Sequence, residues 1–292
     1  MELQHLLRRL PIERFQNPPP VVGVVRMFGV ISPGARPWRR ALNIHALAGP
    51  LERAFKLPNL KAVALAINSP GGSAVQSSLV HKRVRALAAE KDVPVYAFIE
   101  DVAASGGYWL ACAADEIFAD DSSIVGSIGV IFASFGFHEF LAQHGIERRL
   151  HTAGTKKSML DPFRPERPGD VKRLKAAQAE IHEAFMAMVR DCRTGKLKAP
   201  EDEIFSGEFW TGLRALELGL VDGIGDVRSV MRDRYGENVK LTVVGERAGW
   251  LRRIRATAST PVGSGSPAGI ADWTDAAICA VEERLLWSRY GL

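Results

Sequence analysis

Ser105 stands in Asp101–Tyr108 (DVAASGGY), a run of small residues between an apolar stretch at 93–99 and the run Trp109–Ala114. The first stretch reads as a strand and the second as a helix. A hydroxyl on a tight turn that opens a helix lies beside backbone N–H groups with no intrahelical acceptor. Such donors stabilise the oxyanion formed when an alcohol attacks a carbonyl. Ser105 is therefore a candidate nucleophile, although a Ser/Gly helix start without chemistry has the same composition. A second turn of similar build follows Lys61–Ile67: Asn68–Ser73 (NSPGGS) leads into the helix-periodic segment Ala74–Lys91. Gly71 and Gly72 would let backbone N–H groups approach a reacting carbonyl with no side chain in the way. A phosphate cradle uses similar ingredients, but neither the P-loop nor the dinucleotide-binding glycine pattern is present.

A serine nucleophile needs a base. The seven histidines (His5, His45, His81, His138, His144, His151 and His182) carry no triad signature, and no nucleophile-elbow pattern surrounds Ser105. The alternative is a lysine that burial keeps neutral. Lys156 and Lys157 sit in a loop, Thr152–Phe163, whereas most other lysines fall in helical or charged runs. Residue types alone do not choose between the two, and a solvated surface pair fits them as well.

Five segments together are more specific: Ile67–Gly72 (INSPGG), Asp101–Tyr108, Ser123–Val130 (SIVGSIGV), Gly154–Phe163 (GTKKSMLDPF) and Phe209–Gly225 (FWTGLRALELGLVDGIG). In this order they resemble the signal peptide peptidase A (SppA/SohB-like) family of serine peptidases, across most of residues 20–235. The resemblance implies that Ser105 is the nucleophile. It also implies that Lys157, the lysine directly before a serine, is the general base, and that the Ser127 hydroxyl holds that lysine. Gly71 and Gly72 would form the oxyanion hole with the N–H of Gly106, Gly72 being the preferred donor of the pair. A Clp/crotonase-like fold is implied as well. So are peptide substrates, no cofactor, and ring-like homo-oligomers, an assembly in which the serine and lysine of one site can come from adjacent protomers.

The elements that must position these residues read as α/β. Val21–Phe28 is a first strand after Pro18–Pro20, and Ile44–Phe55 is a helix. Continuous apolar strands alternating with helices are the pattern of a buried parallel sheet. Val171–Lys196 is a long helix whose Leu174, Ala177, Ile181, Phe185 and Val189 should face the core. In Phe209–Gly225, Trp210 and Leu213–Leu220 read as core, with Gly219 and Gly223 ending a helix and making a turn. The organisation expected is an amphipathic N-terminal segment (1–20), a peptidase domain (21–255), a linker flexible by composition (256–269) and a C-terminal helix (270–292).

At 292 residues, 47% of them hydrophobic, the chain can bury a full core. Three scattered cysteines, Cys112, Cys192 and Cys279, suit a reducing compartment better than a disulfide framework. No His/Cys/Asp/Glu run has metal-ligand spacing, so no metal is expected. The net charge of +5 and the paired arginines come without the aromatic interleaving or known modules of nucleic-acid binders. They favour instead a peripheral contact with an anionic membrane surface. No stretch reaches the ~20 apolar residues of a bilayer span, and the N-terminus lacks the pattern of a secretory signal, so a cytoplasmic or membrane-peripheral location is expected. The functional expectation is a serine endopeptidase acting on signal-peptide remnants or other unfolded or membrane-derived peptides. A catalytically silent oligomeric scaffold that binds peptides and a crotonase-type acyl-CoA enzyme are the alternatives.

Overall fold

The structure is a computed structural model that describes residues 18–34, 42–245, 281 and 284–292. Most of the expected N-terminal segment, the whole expected linker and the first part of the C-terminal helix lie outside the described residues.

Among the described residues eight strands form one sheet: β1 Val21–Phe28, β2 Leu60–Ser69, β3 Val95–Ala104, β4 Glu116–Ala119, β5 Ile124–Gly126, β6 Phe209–Thr211, β7 Gly223–Ile224 and β8 Lys240–Val243. Their order is β6-β5-β3-β2-β1-β8, with β4 beside β3 and β7 beside β4. Each pairing is parallel except β5 with β6. The helices are α1 Ile44–Ala54, α2 Ala74–Lys91, α3 Gly106–Ala111, α4 His138–Gln143, α5 Pro168–Cys192, α6 Glu201–Ile204, α7 Gly212–Leu218 and α8 Val227–Tyr235. Asn43 caps α1 by accepting from the Ala46 N–H at 2.9 Å. Ser73 caps α2 at the point where the Gly-Gly turn ends.

Both faces of the sheet are covered, with the period of two that strands impose. Val25, Met27, Val63, Leu65, Ile67, Val95, Ala97 and Ile99 pack with α1, α2, α3 and the end of α5. Their neighbours Val22, Val24, Ala62, Ala64, Ala66, Tyr96 and Phe98 meet Phe118 and Met231, the latter on α8. The α/β expectation therefore holds.

Three elements differ from the sequence reading. The strand expected to stop at Ile99 runs on to Ala104 and delivers the chain directly to Ser105. Its halves have different neighbours: Tyr96–Ile99 pair with β4 and Val102–Ala104 with β5. Glu100 and Asp101 fall between the two, exposed where the sheet forks, and these polar residues disguised the strand. Within α5 the buried residues are Asp170, Phe185 and Val189. Ile181 is 42% exposed, because only the C-terminal half of α5 lies against the core. In the Phe209–Gly225 segment, Ala215, Leu218, Leu220 and Val221 are buried, but Leu213 is exposed. Gly219 ends α7 in the left-handed conformation, as read from the sequence, whereas Gly223 belongs to β7 rather than to a turn.

The end of α5 is anchored by a buried ionic knot. Arg193, 2% exposed, donates to Gly219 O from Nε and Nη2 at 2.9 and 2.7 Å. Its Nη1 donates to Asp222 Oδ2 at 2.6 Å, and Lys196 Nζ lies 2.9 Å from Asp222 Oδ1. Burial alone would raise the Asp222 carboxyl, but the bonds from Arg193 and Lys196 outweigh it and hold that carboxyl below the usual range.

Between β5 and α5 the chain leaves the core as an arm, residues 130–167, that carries α4. None of the residues of α4 is buried. The arm is held to itself: Phe137 N donates to Pro162 O at 2.7 Å, and the Phe137 and Phe163 rings stack at 5.7 Å. Ile131 (67%), Phe132, Phe135 (73%), Phe137, Phe140, Ile146, Met159 and Phe163 are all exposed on it.

Candidate active site

β3 and β5 run parallel, and their last pairs are Ala103 with Val125 and Ala104 with Gly126. One residue beyond each strand end stands a serine, Ser105 on one side and Ser127 on the other. The Ser105 N–H donates to Gly126 O at 2.8 Å and so locks the two ends together. Both serines have positive φ, 53° and 52°, in a region that L side chains rarely occupy. At Ser105 the ψ of −119° turns the chain sharply from strand into α3. Two strained non-glycine residues side by side mark a place where geometry outweighs local comfort.

The floor of the site is backbone. Gly72 has φ 138°, and a Cβ there would lie 2.1 Å from Ile31 O. A Cβ on Gly106 would meet Ser77 Oγ at 2.6 Å and Gly72 N at 3.3 Å. Only glycine permits this approach, which brings the N–H groups of residues 72 and 106 to one place. Gly71 N donates to Ser69 Oγ at 3.2 Å, so its N–H is engaged. The N–H groups of Gly72 and Gly106 have no hydrogen-bond acceptor among the described residues. Gly106 is the first residue of α3, where an N–H has no partner within the helix.

The packing behind Ser105 is rigid. Tyr108 is fully buried and donates its hydroxyl to Leu220 O at 2.7 Å, and Trp109 stacks on Phe185 at 4.7 Å. His81 reaches the end of α3, with Nε2 3.2 Å from Cys112 O. Burial is the main cause holding that imidazole below its usual value.

A cleft of about 390 Å³ opens over these groups. Ser105, Ser127, Gly72 and Gly106 line it, together with Trp109, Ile131, Ile181 and Phe185. Ser105, Ser127, Gly72 and Gly106 are thus in one place, whereas Gly71, the other expected donor, is not among the residues that line the cleft. Lys157 is not among the residues that line the cleft. It lies exposed on the arm, in a turn closed by its own N–H on Gly154 O at 3.2 Å. Lys156 is exposed as well.

The C-terminal residues of the cleft, Leu286, Arg289 and Tyr290, were missed by sequence reasoning. Tyr290 packs edge-on against Phe209 at 5.3 Å and directs its hydroxyl to Ser127 Oγ at 3.4 Å. An aromatic on the polar-edged stripe of residues 270–292 gave no sign of this, since the contact depends on tertiary docking alone.

A hydroxyl on a strained strand-to-helix turn, flanked by free backbone donors, is the arrangement that acyl transfer to a serine requires. Residues 87–240, about half of the chain, match peptidase family S49, and the chain belongs to this family of serine-type peptidases. It is 50% identical over 291 residues to a Brucella abortus protein named Na(+)/H(+) antiporter NhaA, covering 99% of this chain and 39% of that one. It is 31% identical over 229 residues to Protease 4 of Haemophilus influenzae, covering 77% of this chain and 36% of that one. The chain therefore spans less than half the length of either relative. Among solved structures, a mutant of the 1510-N membrane-bound stomatin-specific protease in complex with a substrate peptide is similar in fold. Its TM-score is 0.50 at 15% identity, covering 83% of this chain and all of that one. No helix among the described residues is long and apolar enough to cross a membrane.

Proposed function

We propose that this chain is a serine endopeptidase in which Ser105 is the nucleophile and Lys157 the general base. The observation that carries the reading is the convergence of Ser105, Ser127 and the unengaged N–H groups of Gly72 and Gly106 in one cleft. In this reading the neutral Lys157 amine, held by the Ser127 hydroxyl, takes the Ser105 proton as Oγ attacks the peptide carbonyl. The N–H groups of Gly72 and Gly106 stabilise the tetrahedral oxyanion. Lys157 then protonates the leaving amine, and a water molecule repeats the cycle on the acyl-enzyme.

Lys157 reaches the site from the arm of a neighbouring copy. The eight exposed apolar side chains of the arm support this, because an isolated surface rarely presents so many together. Burial between copies would also exclude the water that otherwise keeps an ammonium charged. The apolar side chains of Trp109, Ile131, Ile181 and Phe185 around the cleft suit peptides with apolar residues near the cut. Signal-peptide remnants and other membrane-derived peptides meet that description. The Brucella relative, in which a matching segment belongs to a chain named as an antiporter, is in keeping with work close to a membrane.

One observation favours the other reading, a scaffold that binds peptides without cutting them: Lys157 stands outside the cleft of its own chain. Hydrolysis of a fluorogenic peptide with a small apolar residue before the cut, followed from pH 6 to 10, separates the two. The peptidase reading expects activity that climbs with pH and falls about a thousandfold or more in Ser105→Ala and in Lys157→Ala. Binding of the same peptides with no hydrolysis by the unaltered chain would establish the scaffold.

A further inference from the structure

The chain leaves the sheet at β8, one end of the strand order, yet residues 284–292 are found at the other end, over β6 and the mouth of the Ser105 cleft. Four strands separate the two edges. Tyr290 and Leu292 share a second cleft with Leu241 of β8, and the contacts that seat the segment over the Ser105 cleft are made by side chains. Residues 284–288 are helical, and Leu286, Trp287 and Tyr290 are the half-buried side chains of the segment, its other described residues being exposed. Leu286, Arg289 and Tyr290 line the same cleft as Ser105. Tyr290 sets its ring against Phe209 and its hydroxyl on Ser127 Oγ. Tyr290 also lines a neighbouring cleft, of about 730 Å³, with Glu100, Asp101, Asp120 and Asp121. It thus forms the wall between two openings.

We propose that residues 284–292 are an autoinhibitory cap, seated where the base must dock and displaced when the active site is completed. The Ser127 hydroxyl occupied by Tyr290 is the group that would hold the lysine, and the phenol ring fills the approach to it. What the cap blocks rests on the Ser105–Lys157 reading; that it docks does not. The seat is small: one hydrogen bond and one aromatic pair from Tyr290, with Leu286 and Arg289 on the cleft and Trp287 half-buried. Contacts of that number make a cap that opens reversibly rather than a permanent plug. The segment 256–268, rich in Gly, Ser, Thr and Pro, has the composition of a tether long enough to let it leave and return. A neighbouring copy bringing its arm, or a peptide entering the cleft, would compete for the same space. In this way activity is coupled to assembly and to substrate.

The test uses the full chain with Tyr290→Ala, Tyr290→Phe and, as an independent route to the same release, Leu286→Asp. Peptide hydrolysis is measured at the lowest protein concentration that gives a readable rate, and amide hydrogen exchange is followed in the same proteins. The cap predicts kcat/KM raised roughly three- to tenfold in Tyr290→Ala and Leu286→Asp, and less in Tyr290→Phe, which keeps the ring. It also predicts that amides of residues 284–292 are protected in the unaltered chain and lose that protection in Tyr290→Ala. Rates at or below those of the unaltered chain in both release variants would overturn it. So would exchange at 284–292 that is equally fast in every protein. Should no protein hydrolyse any peptide, the peptidase reading fails by itself. Hydrogen exchange would still decide whether the segment docks.

Discussion

Ser105 holds φ 53° and ψ −119°, a conformation that costs a residue with a Cβ but not glycine. The cost is of the order of 1–3 kcal/mol for such regions. Ser105→Gly should therefore be more stable than Ser105→Ala by about 1 kcal/mol in urea unfolding, while both are inactive. Equal stabilities would mean that the turn is not strained. At Gly72 the sign reverses. An added methyl meets Ile31 O, so Gly72→Ala should lower the unfolding midpoint and reduce kcat/KM by about a hundredfold through the displaced N–H. Ser105 was legible in the sequence because small residues crowd around a lone hydroxyl. Gly72 and Gly106 were legible for the same reason. Residue types did not separate Lys157 from Lys156, both being exposed in one loop, and the choice between them rests on the resemblance. Tyr290 was not legible at all.

Among the elements, β1 and α2 begin and end where apolar runs, a Ser cap and the glycine turn put them. β3 was cut short because Glu100 and Asp101 interrupt its pattern, and that pattern reports on burial rather than on backbone pairing. The fork they occupy is what allows one strand to serve both β4 and β5. The C-terminal end of α5 depends on the Arg193–Asp222–Lys196 knot, which no periodicity reveals. Asp222 has a folded-state carboxyl below its ordinary range, so its contribution is present above about pH 4, the unfolded value, and is lost as pH falls through the folded one. Asp222→Asn should cost about 1–3 kcal/mol at neutral pH. Between pH 5 and 2 its stability should decline less steeply than that of the unaltered chain, as measured by thermal unfolding. Parallel curves would place the acid sensitivity elsewhere.

On the scale of the whole molecule, the sequence announced a parallel α/β sheet through its strand–turn–helix repeats. It did not announce the arm, whose apolar residues resemble a core until the structure leaves them in the open. If the arm is an interface between copies, Phe135→Asp should reduce the sedimentation coefficient to that of a single chain and abolish hydrolysis, without lowering the melting temperature of the core. A variant that stays assembled and active would remove the arm from that role. The distance between the Ser105 cleft and Lys157 also has a consequence in genetics. If each site draws its serine from one chain and its lysine from the next, two inactive alleles carry complementary halves. Co-expressed Ser105→Ala and Lys157→Ala chains, mixed evenly in a closed head-to-tail ring, would form intact sites at roughly a quarter of the interfaces. Neither allele alone would show activity, and a cell carrying both would.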